Sequence, residues 1–427
     1  MSEWKEYKLG DILNVKHGYA FKGECFSETP TLDILLTPGN FNIGGGFKQG
    51  KLKYYNGDYP KSYILNEGDI IVTMTDLSKE GDTLGYSAKI PKHTNFRYLH
   101  NQRIGLLQFL SDDFSKDFIY WVLRSREYQN FIVNSATGST VKHTSPSRIC
   151  EYTFKSPDLP TQTTIAEILS SLDDKIELNN KINKELESLA QTLFKQWFID
   201  FEFPNENGEP YKSSGGEMVD SELGEIPKGW SVGVLENYVQ ILNGYAFKSE
   251  DYVLEGIPII RTKNFNARGY LELNDLVYLS KEESLKYDKF RLQLYDKLVV
   301  MVGASIGKSV LVTSKILPAL QNQNMWNFRA KDKDYQSFTN FLTDLIVEQN
   351  LGSATGSARE FFRKDFFYSR KIQVPSKALI KKFGEMILSI NDKLDSLLSE
   401  NSKLEQLRDN LLPKLISGEL EINEISN

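Results

Sequence analysis

The sequence predicts an α+β chain: two α/β domains related by a pseudo-two-fold, separated by two long helices packed antiparallel as a coiled coil. Three observations predict it. A set of short peptides occurs twice in the same order. Each copy ends in a helix-forming stretch with a seven-residue apolar period. The chain has 427 residues, 40% hydrophobic and 25% charged, which fits an ordinary globular protein of two or three domains.

The repeat decides the architecture. Gly18-Tyr19-Ala20-Phe21-Lys22 recurs 226 residues later as Gly244-Tyr245-Ala246-Phe247-Lys248. Asn40-Phe41-Asn42 recurs 224 residues later as Asn264-Phe265-Asn266. Ser135-Ala136-Thr137-Gly138-Ser139 recurs 218 residues later as Ser353-Ala354-Thr355-Gly356-Ser357, and Asp174-Lys175 matches Asp392-Lys393 at that offset. The expected division is a mixed domain over 1–160, a helix over 161–200, a linker over 201–229, a second mixed domain over 230–375, and a second helix with a tail over 376–427. Within the mixed domains, runs such as Ile70-Ile71-Val72-Thr73 and Lys297-Leu298-Val299-Val300 predict strands, and helical stretches follow near 114–133 and 334–350.

Both helices carry a heptad seam. In the first, Ile165, Leu172, Asn179, Leu186 and Leu193 form one series, and Leu169, Ile176, Asn183, Ala190 and Trp197 the other. In the second, the series are Phe383, Ile390, Leu397, Leu404, Leu411 and Ile387, Leu394, Asn401, Arg408, Leu415. This spacing is the seam of a coiled coil. Leu172, Ile176, Asn183, Leu186, Ile390, Leu394, Leu397, Asn401 and Leu404 are its expected core. A core Asn fixes register at a loss of stability, and Asn183 and Asn401 are repeat-equivalent, so they are expected close to the pseudo-two-fold axis. A helix of ~35 residues is ~50 Å long. Between the copies, 201–229 is rich in Gly, Pro and Glu, and is read as an irregular linker.

Several classes are excluded. No apolar run follows a basic N-terminal cap, so no signal peptide is expected, and no stretch is long enough to span a membrane. Cys25 and Cys150, with His17, His93, His100 and His143, have no metal-ligand spacing, so no metal is expected. The compartment reads as reducing and cytoplasmic.

The net charge of −6, taken whole, argues against nucleic acid, but it is unevenly placed. The first mixed domain holds 19 cations against 18 anions, and 228–375 holds 20 against 16. The segment 201–227 holds 1 against 7. The mixed domains therefore can face phosphate, while linker and helices suit protein or solvent.

The motifs favour binding over catalysis. Gly303-Ala304-Ser305-Ile306-Gly307-Lys308-Ser309 is one residue short of a phosphate-binding loop and reads as a turn. No Gly-rich cofactor loop follows an early strand, no Asn-Pro-Pro-aromatic motif of a methyltransferase is present, and no nuclease-like carboxylate–Lys cluster appears. The Ser-Ala-Thr-Gly-Ser loops continue differently. Thr140, Lys142, His143 and Ser145 follow in one copy. In the other, Ser357 ends the motif and Arg359 and Arg363 follow. Small hydroxyls with cations suit phosphate and base-edge contacts. Tyr19, Lys22, Tyr245 and Lys248 of the first motif, with Lys263 and Arg268 beside the second Asn-Phe-Asn, complete the candidate DNA-binding set. Phe21 and Phe247 read as core.

This plan resembles the DNA-specificity subunit of type I restriction-modification enzymes over essentially the whole chain. The most specific pieces are Leu193-Phe194-Lys195-Gln196-Trp197-Phe198-Ile199-Asp200-Phe201 and Asp220-Ser221-Glu222-Leu223-Gly224-Glu225-Ile226-Pro227-Lys228-Gly229-Trp230. The helix entry Gln162-Thr163-Thr164-Ile165-Ala166-Glu167-Ile168-Leu169 fits too, whereas the second helix has Leu379 where the family often has Gln. The resemblance implies that each mixed domain is a target recognition domain reading one half of a bipartite, asymmetric duplex DNA site, with the helices setting the gap. It implies two modification subunits docked on the helices, and restriction subunits beyond them. S-adenosylmethionine, ATP and magnesium would belong to those partners, and this chain would hold no cofactor and no active site. The competing readings are a free-standing DNA-modifying enzyme, against which the missing motifs count, and a coiled-coil scaffold with no DNA contact, against which the basic balance of 228–375 counts.

Overall fold

The computed structural model describes residues 4–50, 52–76, 78, 80–92, 95–138, 141–266, 269–271, 273, 275–353 and 363–420. The chain divides into two compact units, Met1–Glu177 with Ser402–Asn427, and Leu178–Asn401. Each unit therefore takes one end of each long helix.

Apolar alternation and Gly/Asn/Asp breaks give both units the same strand plan. In the first, an antiparallel sheet runs in the order Leu13–His17, Ile104–Phe109, Ile70–Thr73, Ser87–Lys89. In the second, the order is Val239–Asn243, Met325–Ala330, Lys297–Val300, Ser309–Leu311. Beside it, Asp33–Leu35 runs parallel to Arg97–Leu99 in one unit, and Ile257–Ile260 parallel to Leu320–Gln321 in the other. A two-stranded ribbon leads into each long helix: Lys5–Lys8 pairs with Thr153–Ser156, and Ser231–Val234 with Lys371–Val374. The helical stretches are Lys116–Val122 with Arg126–Asn134 in the first unit, and Gln336–Ser353 in the second.

The long helices are Leu159–Phe198 and Lys377–Ser417. Each starts where a short polar side chain satisfies an otherwise unpaired N–H: Asp158 accepts from Thr161 N at 3.0 Å, and Ser376 Oγ from Leu379 N at 3.3 Å. Gly418, at φ +76°, stands just past the second helix. All of the heptad positions are buried or half-buried. In the first unit Ile165 and Leu169 share a core with Leu412 and Leu415, and Asp173 meets Arg408. In the second, Asn179 meets Asn401 and Trp197 meets Phe383. Rising numbers on one helix face falling numbers on the other, so the packing in each unit is antiparallel. Gly384 lies inside the second helix, where an added Cβ would sit 3.4 Å from the Asp334 carbonyl oxygen.

The core asparagines interact across the two helices. Asn401 accepts from Asn179 Nδ2 at 2.9 Å and donates to Asn180 Oδ1 at 3.1 Å. Asn183 is 4% exposed, and neither side-chain polar atom has a hydrogen-bond partner among the described residues. The register explains this. The Asn179–Asn401 and Trp197–Phe383 pairs place Leu397 opposite Asn183, and Leu397 is the repeat equivalent of Asn179. One crossing has two asparagines; the other sets an asparagine against a leucine.

Each mixed domain docks on its helix ends in its own way. In the first unit the Asp173 carboxylate takes both Arg124 and Arg408, the latter at 2.7 Å. Burial raises its pKa, but the Arg124 and then the Arg408 guanidinium outweigh that and hold it below the usual carboxylate range. Arg124 is nearly fully buried, lies 4.3 Å over the Trp121 ring, and donates to the Gly44 carbonyl at 2.9 Å. Trp121 Nε1 donates to Ser170 Oγ at 3.0 Å on the long helix. In the second unit the joint is aromatic: Phe194 and Phe198 meet Phe338, Phe341 and Phe383 at ring centroid distances of 4.8–6.2 Å.

The segment 201–229 consists mostly of turns, with one short two-stranded ribbon, and it packs on itself. Phe203 stacks on Tyr211 at 4.6 Å and on Trp230 at 5.6 Å. Met218–Val219 pairs with Ile226–Pro227. Aromatic residues among the Gly and Pro supply a small core that composition alone conceals.

Candidate nucleic-acid interface

Two of the repeated motifs turn out to build the scaffold. At Gly18 an added Cβ would fall 2.0 Å from the Asn101 carbonyl oxygen, and at Gly244 it would fall 1.8 Å from that of Asn322. Only glycine permits that approach. It lets Tyr19 N donate to the His100 carbonyl and Gln102 N to the Tyr19 carbonyl; Tyr245 makes the same two bonds with Gln321 and Gln323. Asn40 and Asn264 are buried, and their Oδ1 atoms accept from Thr37 N at 2.9 Å and Arg261 N at 3.0 Å. These asparagines cap a turn.

The tyrosines sit at the rim of this scaffold. Tyr19 is half-buried, 5.1 Å from Phe21 and 5.2 Å from Tyr63. Tyr245 is exposed and packs on Phe247, Tyr287 and Phe290. Phe21 is buried, whereas Phe247 is half-buried against a small cluster. Lys22 is exposed with no ion-pair partner among the described residues. Sequence reasoning missed Lys16, whose Nζ lies 4.6 Å over the Tyr63 ring. Nothing in its local sequence distinguishes it, because Tyr63 arrives from the short helical turn Lys61–Tyr63, remote in sequence.

The Ser-Ala-Thr-Gly-Ser loop is a tight closure in the first unit. Thr137 and His143 exchange both backbone hydrogen bonds, at 3.0 and 2.8 Å, with Gly138 at φ +95°. Lys142–His143 then pairs antiparallel with Thr75–Asp76. Thr75 Oγ1 and His143 Nδ1 are 3.1 Å apart, and Lys142 Nζ donates to the Glu80 carbonyl at 3.2 Å. Asp76 is buried and accepts from Ser78 N, Thr83 N and Thr83 Oγ1. Burial raises its pKa, but these hydrogen bonds prevail and lower it. Ser145 caps the short helix Pro146–Cys150, so its hydroxyl already accepts from Arg148 N. Thr140, Arg268, Ser357 and Arg359 lie outside the described residues.

The remaining basic candidates are paired. Lys248 meets Glu250 at 3.2 Å, Arg363 meets Asp365 at 2.7 Å, and Lys263 meets Asp275. All three pairs are solvent-exposed, and such pairs are worth about 0–1 kcal/mol, so a phosphate can compete for these cations. The structure brings Lys142 and His143 together, and Tyr19 near Lys16. The phosphate-loop-like segment 303–309 is the turn of a hairpin, closed by Gly307 N to the Val300 carbonyl at 2.9 Å. No group of His, Cys, Asp and Glu able to hold a metal exists among the described residues. No helix among them is long and apolar enough to cross a membrane.

Twin mixed domains on a shared antiparallel helix pair, with exposed cation-bearing loops, define a class of repeated recognition proteins. The chain matches the type I restriction modification DNA specificity domain over residues 1–188 and again over 227–408, and it belongs to that family. It is 26% identical to the type I restriction enzyme MjaIX specificity subunit of Methanocaldococcus jannaschii, over 74% of this chain and 71% of that one. It is 25% identical to the HindI specificity subunit of Haemophilus influenzae, over 98% of this chain and 100% of that one. The crystal structure of a type I restriction-modification S subunit from M. genitalium shares the fold, with a TM-score of 0.57 at 17% identity over 97% of this chain and 96% of that one.

Proposed function

We propose that this chain is the non-catalytic, sequence-reading subunit of a cytoplasmic type I restriction-modification complex. Each mixed domain, 1–160 and 230–375, reads one half of a bipartite asymmetric duplex site, and the helices of 161–200 and 376–427 set the gap. Two modification subunits dock on the helices and methylate adenine with S-adenosylmethionine; restriction subunits bring ATP, magnesium and cleavage. The observation that carries this reading is the doubled strand plan. Two domains of one topology carry different loops, as needed to read two different half-sites. Tyr19, Lys22, Lys142, His143, Ser145, Tyr245, Lys248, Lys263 and Arg363 are the described candidates for DNA contact, with Thr140, Arg268, Ser357 and Arg359 completing the set.

Because the domains are only weakly basic, the chain alone is expected to bind DNA poorly and to gain affinity with its partners. An electrophoretic shift with and without modification subunits tests this, and an assembled complex with no sequence preference overturns it. Exchanging 1–160 for the domain of a relative is expected to change one half-site in the map of methylated adenines. A change in both half-sites contradicts one domain per half-site.

A further inference from the structure

Both units contain the same hairpin, Ile70–Thr73 with Ser87–Lys89 and Lys297–Val300 with Ser309–Leu311. The flanking strands match, yet the connections do not. The first, 74–86, is long and folded back: Asp76 ties it to Ser78 and Thr83, and Gln129 Nε2 donates to the Gly81 carbonyl at 2.9 Å. The second, 301–308, is short. Met301 N donates to the Asn324 carbonyl, Val300 N to that of Lys308, and Gly307 N to that of Val300, which fixes the base of the tip. Gly303 and Gly307, both at φ +83°, make the turn.

In each unit this connection lies beside the approach to the Ser-Ala-Thr-Gly-Ser loop. In the first, Lys142–His143 pairs with Thr75–Asp76. In the second, an added Cβ at Gly307 would fall 2.6 Å from Leu351, in the last described turn before that loop. A variable tip beside a repeated loop is the pattern expected of a reading element on a common frame. The tip is exposed at Val302, Gly303, Ala304 and Lys308. Lys308 has no ion-pair partner among the described residues, unlike Lys248, Lys263 and Arg363.

We propose that the hairpin tip Val302–Lys308 enters the major groove and reads bases of the second half-site. This rests on the reading of the chain as a bipartite DNA reader. The major groove admits a two-stranded ribbon. There the Lys308 ammonium donates to the O6 and N7 acceptors of guanine, and the Val302 and Ala304 methyl groups contact the thymine methyl. The first unit, with its longer tip braced by Asp76, presents a different surface, which accounts for unlike half-sites.

The test uses the complex assembled with modification subunits, with binding measured on duplexes carrying single substitutions in either half-site and at several salt concentrations. Lys308→Ala is expected to reduce affinity for the cognate site roughly tenfold and to relax preference at one or two bases of the second half-site, leaving the first unchanged. Val302→Ser is expected to shift preference at a neighbouring base without changing the salt dependence. Lys315→Ala, an exposed lysine outside the tip, is the control and leaves both half-sites unchanged. A loss that is uniform over all sequences, with the salt slope falling by about one, makes Lys308 a backbone contact and overturns the proposal. Unchanged binding in both tip variants overturns it too. A wild-type complex without sequence preference sinks the bipartite reading itself, and this inference with it.

Discussion

The two recognition domains grip the same pair of helices by opposite chemistry. In the first unit one carboxylate, Asp173, holds arginines from two remote segments, and Arg124 lies over Trp121. In the second, Phe194 and Phe198 pack on Phe338, Phe341 and Phe383. The charged joint depends on every partner, because removing one leaves a buried charge uncompensated. The aromatic joint scales with area and tolerates reshaping. The two halves of a duplicated fold thus bury their helix joints by routes with different failure modes.

The largest expected effect breaks the aromatic side. Phe383 is fully buried and touches Phe194, Trp197, Phe198 and Phe341. Phe383→Ala is expected to destabilise the second unit by about 3–5 kcal/mol in urea unfolding, whereas Phe383→Leu loses far less. Asp173→Ala comes next, at about 3 kcal/mol, because two guanidinium groups lose their counter-charge. The joint replacement Asp173→Leu, Arg124→Met, Arg408→Leu is expected to recover most of that loss. If the triple variant is no better than Asp173→Ala, the joint is not governed by charge compensation.

Leu397→Asn sharpens the comparison within the seam. A buried leucine truncated in a core loses 2–5 kcal/mol. Here the new amide meets Asn183, whose polar atoms lack partners, so a loss of under about 1 kcal/mol is expected. A loss above about 2 kcal/mol in thermal or urea unfolding means that Leu397 does not face Asn183.

The smallest effect at neutral pH lies at another pair of equivalents. His100 Nε2 bonds the Ile104 carbonyl, and Gln321 Nε2 bonds that of Met325, each four residues on. Burial pulls the His100 pKa down to about 4. As pH falls from about 6.5 to about 4, the unfolded chain takes up a proton that the folded chain refuses, so stability drops across that window. His100→Gln, which copies the second unit, is expected to flatten this drop. Equal slopes of stability against pH in variant and wild type refute it.

Much of the fold was legible because its signals are local or repeated. The heptads show in the spacing of Ile165 to Trp197, and the duplication shows in matched peptides. The Arg124–Asp173–Arg408 joint was not legible, since its members stand 49 and 235 residues apart with no shared motif. The asparagine partners were not legible either, because repeat equivalence does not fix antiparallel register. Gly-Tyr-Ala-Phe-Lys looked like a contact surface, and its Tyr and Lys do reach the rim. Its glycine and the tyrosine backbone serve the chain itself, a role visible only once Asn101 and Asn322 are placed against them. Lys308 was hidden inside a segment that resembled a nucleotide loop.

The first unit is closed by residues from the far end of the chain, Ser402–Asn427, as well as by its own Met1–Glu177. On a ribosome adding about 5–20 residues per second, the first recognition domain waits roughly 10–50 s before Arg408, Leu412 and Leu415 emerge to cover Ile165 and Leu169. During that interval its half of the seam stands open to chaperones and proteases. A message truncated late in its length therefore yields a chain whose first unit, though its own domain is fully translated, lacks Leu412 and Leu415 from its core.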